Sequence, residues 1–386
     1  MPPGGPCASA PKLCIRGFFV ADETDIRYMQ RALELAARGR FRTAPNPMVG
    51  AVIVRQGRII GEGYHRKAGS DHAEIAAIRN AVEPVAGSTV YVTLEPCCHT
   101  GRTGPCTAAL IEHGVARVVF AATDPDPRVR GKGARRLRQA GIRVEAGILR
   151  EQAVRLNEVF FAFHRTGRPF IILKTAQTLD GRIGAGNGDS KWISSPASRR
   201  MAHELRAEAD AIVVGGGTVR RDNPALTVRH VTGPDPYRVI LSASLRFPKS
   251  CRLLDDNADA RTSIATMAEN VERFARTRRG RSLTFWSIRR RRDGQLDVAD
   301  LVRKAGQFGL RSLLVEGGSR VATSFLKAGL VDKYVAFVAP KLLGTGIDAV
   351  GDLGIASIDR ALTFARTEIL TCGPDIVVIG YPKRRK

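Results

Sequence analysis

Three side chains of zinc-binding type fall close together in this chain. His72 opens His72-Ala73-Glu74, and Cys97 and Cys106 follow Glu95-Pro96 with eight residues (98–105) between them. Zinc accepts imidazole and thiolate, and a catalytic site takes three protein ligands so that a fourth position stays open for water. Glu74 is badly placed to join the same ion but well placed to shuttle a proton. A zinc ion lowers the pKa of a bound water to about 7, so the set has the chemistry of hydrolytic deamination, in which the glutamate is not a ligand. A lone Cys is usually a small buried hydrophobe, and a lone His beside an acid is usually structural. Their joint occurrence behind Glu-Pro-Cys makes the functional assignment outweigh the structural one. Cys98 is expected to point away from the metal, while His99 either contacts substrate or closes the loop.

The elements that must position these groups follow from local pattern. Residues 25–38 carry apolar side chains at helical spacing, with Gly39 as a stop. Residues 49–54 and 58–63 form a hairpin about Gly57. A helix spans 72–80, a strand 90–94, a helix 107–113, a strand 116–123 and a basic helix 133–140. Strands alternating with helices predict an α/β domain. The run 165–169 (Arg-Thr-Gly-Arg-Pro) is a candidate linker. Beyond it the alternation resumes, with strands at 170–175, 211–214, 239–241, 312–315, 334–339 and 375–380 and helices at 198–207, 296–306 and 321–328. Residues 255–295 are Arg-rich and carry no clear pattern.

Composition bounds the function. At 386 residues, with 44% hydrophobic and 25% charged residues, the chain fits two globular domains. It lacks any run of about 18 apolar residues, the length a membrane span requires. A net charge of +24 raises the possibility of a basic zinc protein that binds or edits RNA. Aromatics, at 6%, do not interleave with the basic runs as stacking platforms for single strands would. Nucleic-acid deaminases also place two residues between their cysteines, whereas eight intervene here. The longer loop carries Arg102, which suits a phosphate. Seven cysteines (Cys7, Cys14, Cys97, Cys98, Cys106, Cys251 and Cys372) form no disulfide framework and fit a reducing, cytoplasmic setting.

In the second half, Gly215-Gly216-Gly217-Thr218 follows one strand and Glu316-Gly317-Gly318-Ser319 another. Glycine after a strand lets backbone N–H groups approach a phosphate, and two such strand ends in one sheet point to a dinucleotide. No acidic residue follows about 20 positions on, as the NAD form requires, which is compatible with NADP. Arg206 and Arg229 could clamp a phosphate bidentately. Lys174 or Asp180 could polarise a sugar. Trp192, flanked by Ser190 and Ser194, is either core or a wall of the cofactor site.

Taken in order, Pro45-Asn46-Pro47-Met48-Val49-Gly50, Gly61-Glu62-Gly63-Tyr64-His65, His72-Ala73-Glu74, Thr93-Leu94-Glu95-Pro96-Cys97 with Cys106, Leu179-Asp180-Gly181-Arg182, Asp222-Asn223-Pro224-Ala225-Leu226-Thr227 and Ala339-Pro340-Lys341-Leu342-Leu343-Gly344 resemble the bifunctional deaminase–reductases of riboflavin biosynthesis, from about residue 24 to about 380. The resemblance implies a cytidine-deaminase-like α/β/α domain at 23–166 and a dihydrofolate-reductase-like α/β domain at 167–382. A disordered extension (1–22) and a basic tail (383–386) would flank them. It implies zinc on His72, Cys97 and Cys106 with Glu74 catalytic, and pyrimidine contacts at Asn46, His65, His99, Arg102, Asp124 and Asp126. NADPH contacts are implied at Ala176, Ser190, Trp192, Thr218, Asp222, Gly318, Ser319, Arg320, Val321, Ala322, Thr323 and Ser324. Contacts to the second substrate are implied at Ser190, Arg206, Leu226, Arg229 and Glu316, beside the Lys174 and Asp180 expected from their polarity to act on the sugar. The reactions would be loss of the 2-amino group of a 2,5-diamino-6-ribosylaminopyrimidinone 5′-phosphate, then reduction of its ribosyl group to ribityl. The partners are this small phosphorylated pyrimidine and further copies of the chain in a homo-oligomer, with neither nucleic acid nor membrane. The family usually has Ser at Cys98 and Asn at Asp126, and the latter change puts one polar contact near the ring in doubt.

Overall fold

The structure, a computed structural model, describes residues 22–100, 104–257, 261–277 and 283–383. Arg102, the extension up to residue 21 and the last three residues of the basic tail lie outside that set.

The first half runs α1 (Glu23–Ala37), β1 (Gly50–Arg55), β2 (Arg58–Tyr64), α2 (Ala73–Arg79), β3 (Thr89–Leu94), α3 (Cys106–Glu112), β4 (Arg117–Ala122), α4 (Lys132–Gln139), β5 (Arg143–Ala146), α5 (Arg150–Leu156) and α6 (Glu158–Thr166). Its five strands lie in the order β2-β1-β3-β4-β5, with β1 antiparallel to both neighbours and β3, β4 and β5 parallel. Side chains alternate across the strands, so Ile53, Val90, Val92 and Phe120 pack under Ala73, Ala77, Leu110 and Leu137 of α2, α3 and α4. Val52, Tyr91 and Val119 face Met29, Ala32 and Leu33 of α1 and Ala153 of α5. The result is a helix–sheet–helix sandwich. Asp22 starts α1 by accepting the Thr24 N–H at 3.2 Å, with Glu23 and Asp25 in the positively polarised first turn. Gly63 lets α2 lie flush on β2, because a Cβ there would strike the Ala73 carbonyl and the Ala77 nitrogen.

The second half runs β6 (Phe170–Thr178), β7 (Arg182–Gly184), α7 (Pro196–Glu208), β8 (Ala211–Gly215), α8 (Gly216–Asp222), β9 (Tyr237–Leu241), α9 (Arg252–Asp255), β10 (Thr262–Thr266), α10 (Ala268–Ala275), β11 (Thr284–Ser287), α11 (Val298–Gln307), β12 (Ser312–Val315), α12 (Ser319–Lys327), β13 (Lys333–Ala339), β14 (Ile347–Asp348), β15 (Phe364–Cys372) and β16 (Asp375–Pro382). Nine strands lie in the order β11-β10-β9-β8-β12-β6-β13-β16-β15. The chain leaves a gap beside β6, builds outward through β8 to β11, and returns to fill the gap with β12. All are parallel except β16, which runs antiparallel to β13 and β15. The carboxyl ends of β8 and β12 therefore emerge side by side.

Three sequence expectations are corrected. The candidate linker 165–169 is shorter than expected, because only residues 167–169 lie outside the flanking elements. α6 continues to Thr166 and ends on Gly167 at φ 68°, and β6 begins at Phe170. The helix expected from 296 starts at Val298, because Asp297 caps it by accepting the Ala299 N–H at 2.9 Å while Leu296 bridges to Arg290. Residues 255–295 contain β10, α10 and β11, whose strands of five and four residues are too short for a visible period. No helix among the described residues is long and apolar enough to cross a membrane.

Candidate active sites

His72 is the N-cap of α2 and Cys106 the first residue of α3. The packing of these two helices on one sheet face carries both ligands to the mouth of the Cys97 loop. His72 Nδ1 lies 3.3 Å from Cys106 Sγ and 3.5 Å from Cys97 Sγ, and all three donor atoms lie within 4.8 Å of one another. Cys97 Sγ also accepts the Cys106 backbone N–H at 3.3 Å. The Cys106 hydrogen bond, opposed by burial and aided by His72, brings the Cys97 thiol down to about 4. One thiolate is thus ready, a second thiol is adjacent, and the imidazole presents Nδ1 to both. That donor set and its spacing fit zinc, whose arrival would release the protons of Cys106 and His72.

Glu74, the second residue of α2, is only 4% exposed. Burial, and next the neighbouring Cys97, push its carboxyl above the usual range. It lines, with His72 and Cys97, a cavity of about 430 Å³ whose walls also include Asn46, His65, His99, Asp124, Asp126, Arg128, Phe160, His164 and Arg311. His65 Nδ1 donates to the Asp71 carbonyl at 3.0 Å, which leaves its Nε2 to accept from Asn46 Nδ2 at 3.1 Å. Burial lowers the His65 pKa and keeps the ring neutral. The Nδ1 of His99 is buried without a hydrogen-bond partner, as expected of a group that awaits a ligand. Asp124 accepts the Asp126 N–H at 2.8 Å and is raised by burial to about 7.

The sequence did not single out several groups here. Glu95 is buried and accepts backbone N–H bonds from Gly131 and Ala134 at 3.0 Å each and from Asp124 at 3.3 Å, so it fixes the Asp124–Asp126 turn against α4. Arg128 chelates Asp126, with Nη2 2.6 Å from Oδ2, and holds that carboxyl at about 2 against burial. Cys98 turns away and points its sulfur at the Arg128 carbonyl at 3.7 Å. Arg311 arrives from the other half of the chain, and no local sequence signal could have announced it.

In the second half, β6 and β12 run parallel with Leu173 opposite Val315, which sets the next residues, Lys174 and Glu316, level. Arg206 on α7 meets Glu316 in a bidentate pair at 2.7 and 2.8 Å, and its Nη1 reaches the Thr227 carbonyl at 3.2 Å. Glu316 occupies the Nε–Nη2 edge of the guanidinium, so a bidentate grip of Arg206 on a phosphate by that edge would have to displace this pair. Burial favours the neutral acid, but Arg206, and beyond it Lys174, outweigh it and hold Glu316 at about 2. Burial lowers the Lys174 ammonium and, with Arg206, brings His203 to about 4. Arg229 is exposed and donates its backbone N–H to His203 at 3.1 Å.

Asp180 is engaged elsewhere. It accepts from Thr178 at 2.5 Å and from the Leu343 and Gly344 N–H groups, and so holds the loop before β14. Leu226 is placed in the core beneath the sheet. Trp192 is 64% exposed with the Arg199 guanidinium 4.5 Å above its ring, which removes the core alternative. Ala176 and Ser190 are half-buried. Thr218 accepts the Gly318 N–H at 3.2 Å and ties the two glycine turns together. Burial raises Asp222. Of the stretch 318–324, Val321 and Ala322 face the core, and the Thr323 and Ser324 hydroxyls bond back to the carbonyls of Ser319 and Arg320. What remains for a ligand is the first turn of α12 at Ser319 and Arg320, where helical N–H groups lack intrahelical partners, since the Gly318 N–H is taken by Thr218. Its glycines pack tightly, since a Cβ at Gly317 would lie 2.6 Å from the Val321 side chain. Two glycine turns and a helix start on neighbouring parallel strands fit a dinucleotide at the carboxyl edge of the sheet.

Comparison with known proteins agrees with this geometry. The family described as "RibD C-terminal domain" matches residues 169–378, and "Cytidine and deoxycytidylate deaminase zinc-binding region" matches residues 22–122. The riboflavin biosynthesis protein RibD of Aquifex aeolicus is 44% identical, covering 92% of this chain and 98% of its own. The structure of Acinetobacter baumannii RibD superposes with a TM-score of 0.82 at 36% identity, over 94% of this chain and 99% of that one. The Thermotoga maritima diaminohydroxyphosphoribosylaminopyrimidine deaminase/5-amino-6-(5-phosphoribosylamino)uracil reductase gives the same TM-score and identity over 93% and 99%. The chain belongs to the RibD family of riboflavin-biosynthesis proteins.

Proposed function

We propose that this chain performs two consecutive steps of riboflavin biosynthesis on one ribosylaminopyrimidine phosphate, each in its own half. The first replaces the 2-amino group of 2,5-diamino-6-(5-phosphoribosylamino)pyrimidin-4(3H)-one by oxygen from water and releases ammonia. The second transfers hydride from NADPH to C1′ of the open imine form of the sugar and a proton to the imine nitrogen, which converts ribosyl to ribityl. The convergence of His72, Cys97 and Cys106 beside buried Glu74 carries this proposal.

Zinc on the three ligands would supply a Lewis acid and an activated water at neutral pH. Glu74, whose burial favours the protonated carboxyl, carries a proton to the departing nitrogen. Asn46 and His99 offer an amide oxygen and an unpartnered ring nitrogen to orient the pyrimidine. In the other half NADPH would supply the hydride along the Gly215–Gly217 and Glu316–Gly318 turns. Lys174, whose ammonium burial makes readier to give up its proton, supplies that proton to the imine nitrogen beside the fixed Glu316–Arg206 pair. Among the described residues, the unpaired thiols of Cys97, Cys98, Cys106 and Cys372 suit a reducing cytoplasm.

The test removes metal with a chelator and follows ammonia release and NADPH oxidation separately. Ammonia release stops and returns with zinc, while reduction of pre-deaminated substrate continues. Reduction that stops with deamination, or deamination that survives complete removal of metal, would defeat the assignment.

A further inference from the structure

The deaminase cavity is closed in part by the reductase half. Arg311, the residue before β12, lines it together with Asn46, His65, His99 and the ligands His72 and Cys97. The main chain of Arg311 is locked in the second sheet. Its N–H donates to Asp210 Oδ2 at 2.6 Å and its carbonyl accepts the Phe170 N–H at 2.7 Å. Its side chain crosses the seam between the halves. Nη1 donates to the Pro45 carbonyl at 2.5 Å, and the guanidinium lies 5.2 Å from the Phe163 ring centre. Arg311 has no carboxylate partner among the described residues, so its side chain is held by the first half rather than by an ion pair of its own.

Pro45 directly precedes Asn46, and the contact continues inward. Asn46 Nδ2 donates to His65 Nε2, and His65 Nδ1 donates to the carbonyl of Asp71, the neighbour of ligand His72. On the other flank the Asn157 side chain bonds both the N–H and the carbonyl of Met48 at 2.8 Å. The loop bearing Asn46 is thus held at one end from α5–α6 and at the other from the reductase sheet. We infer that Arg311 is a positioning residue for deamination. It fixes Pro45 so that the Asn46 amide keeps its hydrogen bond to His65 and turns its oxygen toward the pyrimidine, and the deaminase site is complete only with the reductase half docked. Each link is a direct contact, so no long-range transmission is invoked.

The inference rests on the proposed deaminase reading, and the experiment separates the two. Ammonia release and NADPH oxidation are measured on the full-length zinc-loaded enzyme and on its Arg311→Ala, Arg311→Gln and Arg311→Lys variants. Wild type that releases no ammonia would remove the underlying reading itself. With active wild type, the loss of one hydrogen bond predicts a three- to tenfold rise in the deamination KM for Ala and Gln. Deamination kcat, zinc content, melting temperature and reduction of pre-deaminated substrate stay near wild type. Lys, which still carries a cation and a donor, restores most of the KM. An unchanged KM in Ala and Gln overturns the inference, as does a loss shared equally by reduction. If Arg311→Ala fails to fold, the Gln-against-Lys difference in KM decides alone. Equal KM in the two variants overturns the inference.

Discussion

The two sites of this chain treat charge in opposite ways. In the first half burial wins. Glu74 is raised, and Asp124 reaches about 7 because little nearby favours its charged form. At Glu316 in the second half pairing wins, although burial still prevails at Lys174 and Asp222. Glu316 is also largely enclosed, with 7% of its side chain exposed, yet Arg206 and Lys174 hold it at about 2. A deaminase must move protons at neutral pH, and a group does so best when neither protonation state is strongly preferred. A hydride-transfer site for an anionic substrate needs charges that stay put. Burial is common to both, and whether a cation lies within reach determines which kind of site results.

Breaking the first side of this contrast gives the largest effect. Glu74→Gln keeps size and hydrogen bonding but removes the proton, so deamination falls on the order of 10²–10⁴-fold. Metal content and reduction of pre-deaminated substrate are unchanged. Metal analysis with an ammonia assay reads this out, and near-normal turnover would take Glu74 out of proton transfer.

Breaking the second side affects the fold as well as turnover. Arg206→Ala leaves Glu316 buried and unpaired, and removing one partner of a buried pair costs about 3–5 kcal/mol. Urea unfolding should show that loss together with impaired reduction. Arg206→Lys recovers little of it, because an ammonium cannot reproduce the fork at 2.7 and 2.8 Å. A change under about 1 kcal/mol would mean that Glu316 is not charged in the folded protein.

The same contrast decides what the sequence could reveal. The metal ligands and Glu74 lie within 35 residues, His72 to Cys106, and local helix starts bring them together, so their types and spacing alone carried the chemistry. Lys174, Arg206 and Glu316 span 143 residues and meet only because β12 returns to the slot between β6 and β8. Resemblance named Arg206 and Glu316, and polarity Lys174, but nothing local said that Arg206 would face Glu316. Arg311 was hidden for the same reason, since its position in the cavity depends on the docking of the two halves. β15 was missed because its alternation is weak. Ile369 is 69% and Leu370 44% exposed, so neither face of the strand reads as buried. α5 and α6 lack side-chain caps at their starts and follow each other across a single residue, Asn157, so the usual start and stop signals are absent.

The opposed pKa shifts also predict opposed pH slopes, smaller in size. Glu316 is depressed from 4.5 to about 2. Its stabilisation is present above about pH 4.5 and is lost as pH falls toward 2. Asp124 is raised from 3.8 to about 7, so the folded state prefers its protonated form. Its contribution is full below pH 3.8 and is lost as pH rises to about 7. In metal-free protein, Asp124→Asn should melt roughly 2–8 °C above wild type at pH 8 and level with it at pH 4. Glu316→Gln should show the reverse, with its deficit at pH 7 shrinking as pH falls below about 4.5. Parallel melting curves for both variants across this range would erase the contrast between the sites.

The smallest expected effect tests the one carboxylate of the first site that behaves like those of the second. Asp126 stands where the resemblance leads one to expect Asn, and it is held charged at the edge of the cavity. The repulsion this would cause for the proposed phosphate substrate is offset by Arg128, whose backbone N–H, Nε and Nη2 all reach the Asp126 carboxylate. That side chain is 71% exposed against 11% for its partner, so the pair contributes only about 0–1 kcal/mol. Asp126→Asn removes the carboxylate and frees Arg128 together, so the net charge at the rim rises by one while the Asp126 N–H to Asp124 survives. The deamination KM should fall less than about threefold at low ionic strength, and the difference should vanish at about 1 M salt, where the screening length is about 3 Å. A KM change above tenfold that persists in salt would instead place the Asp126 side chain on the pyrimidine itself, with Arg128 holding it in that position.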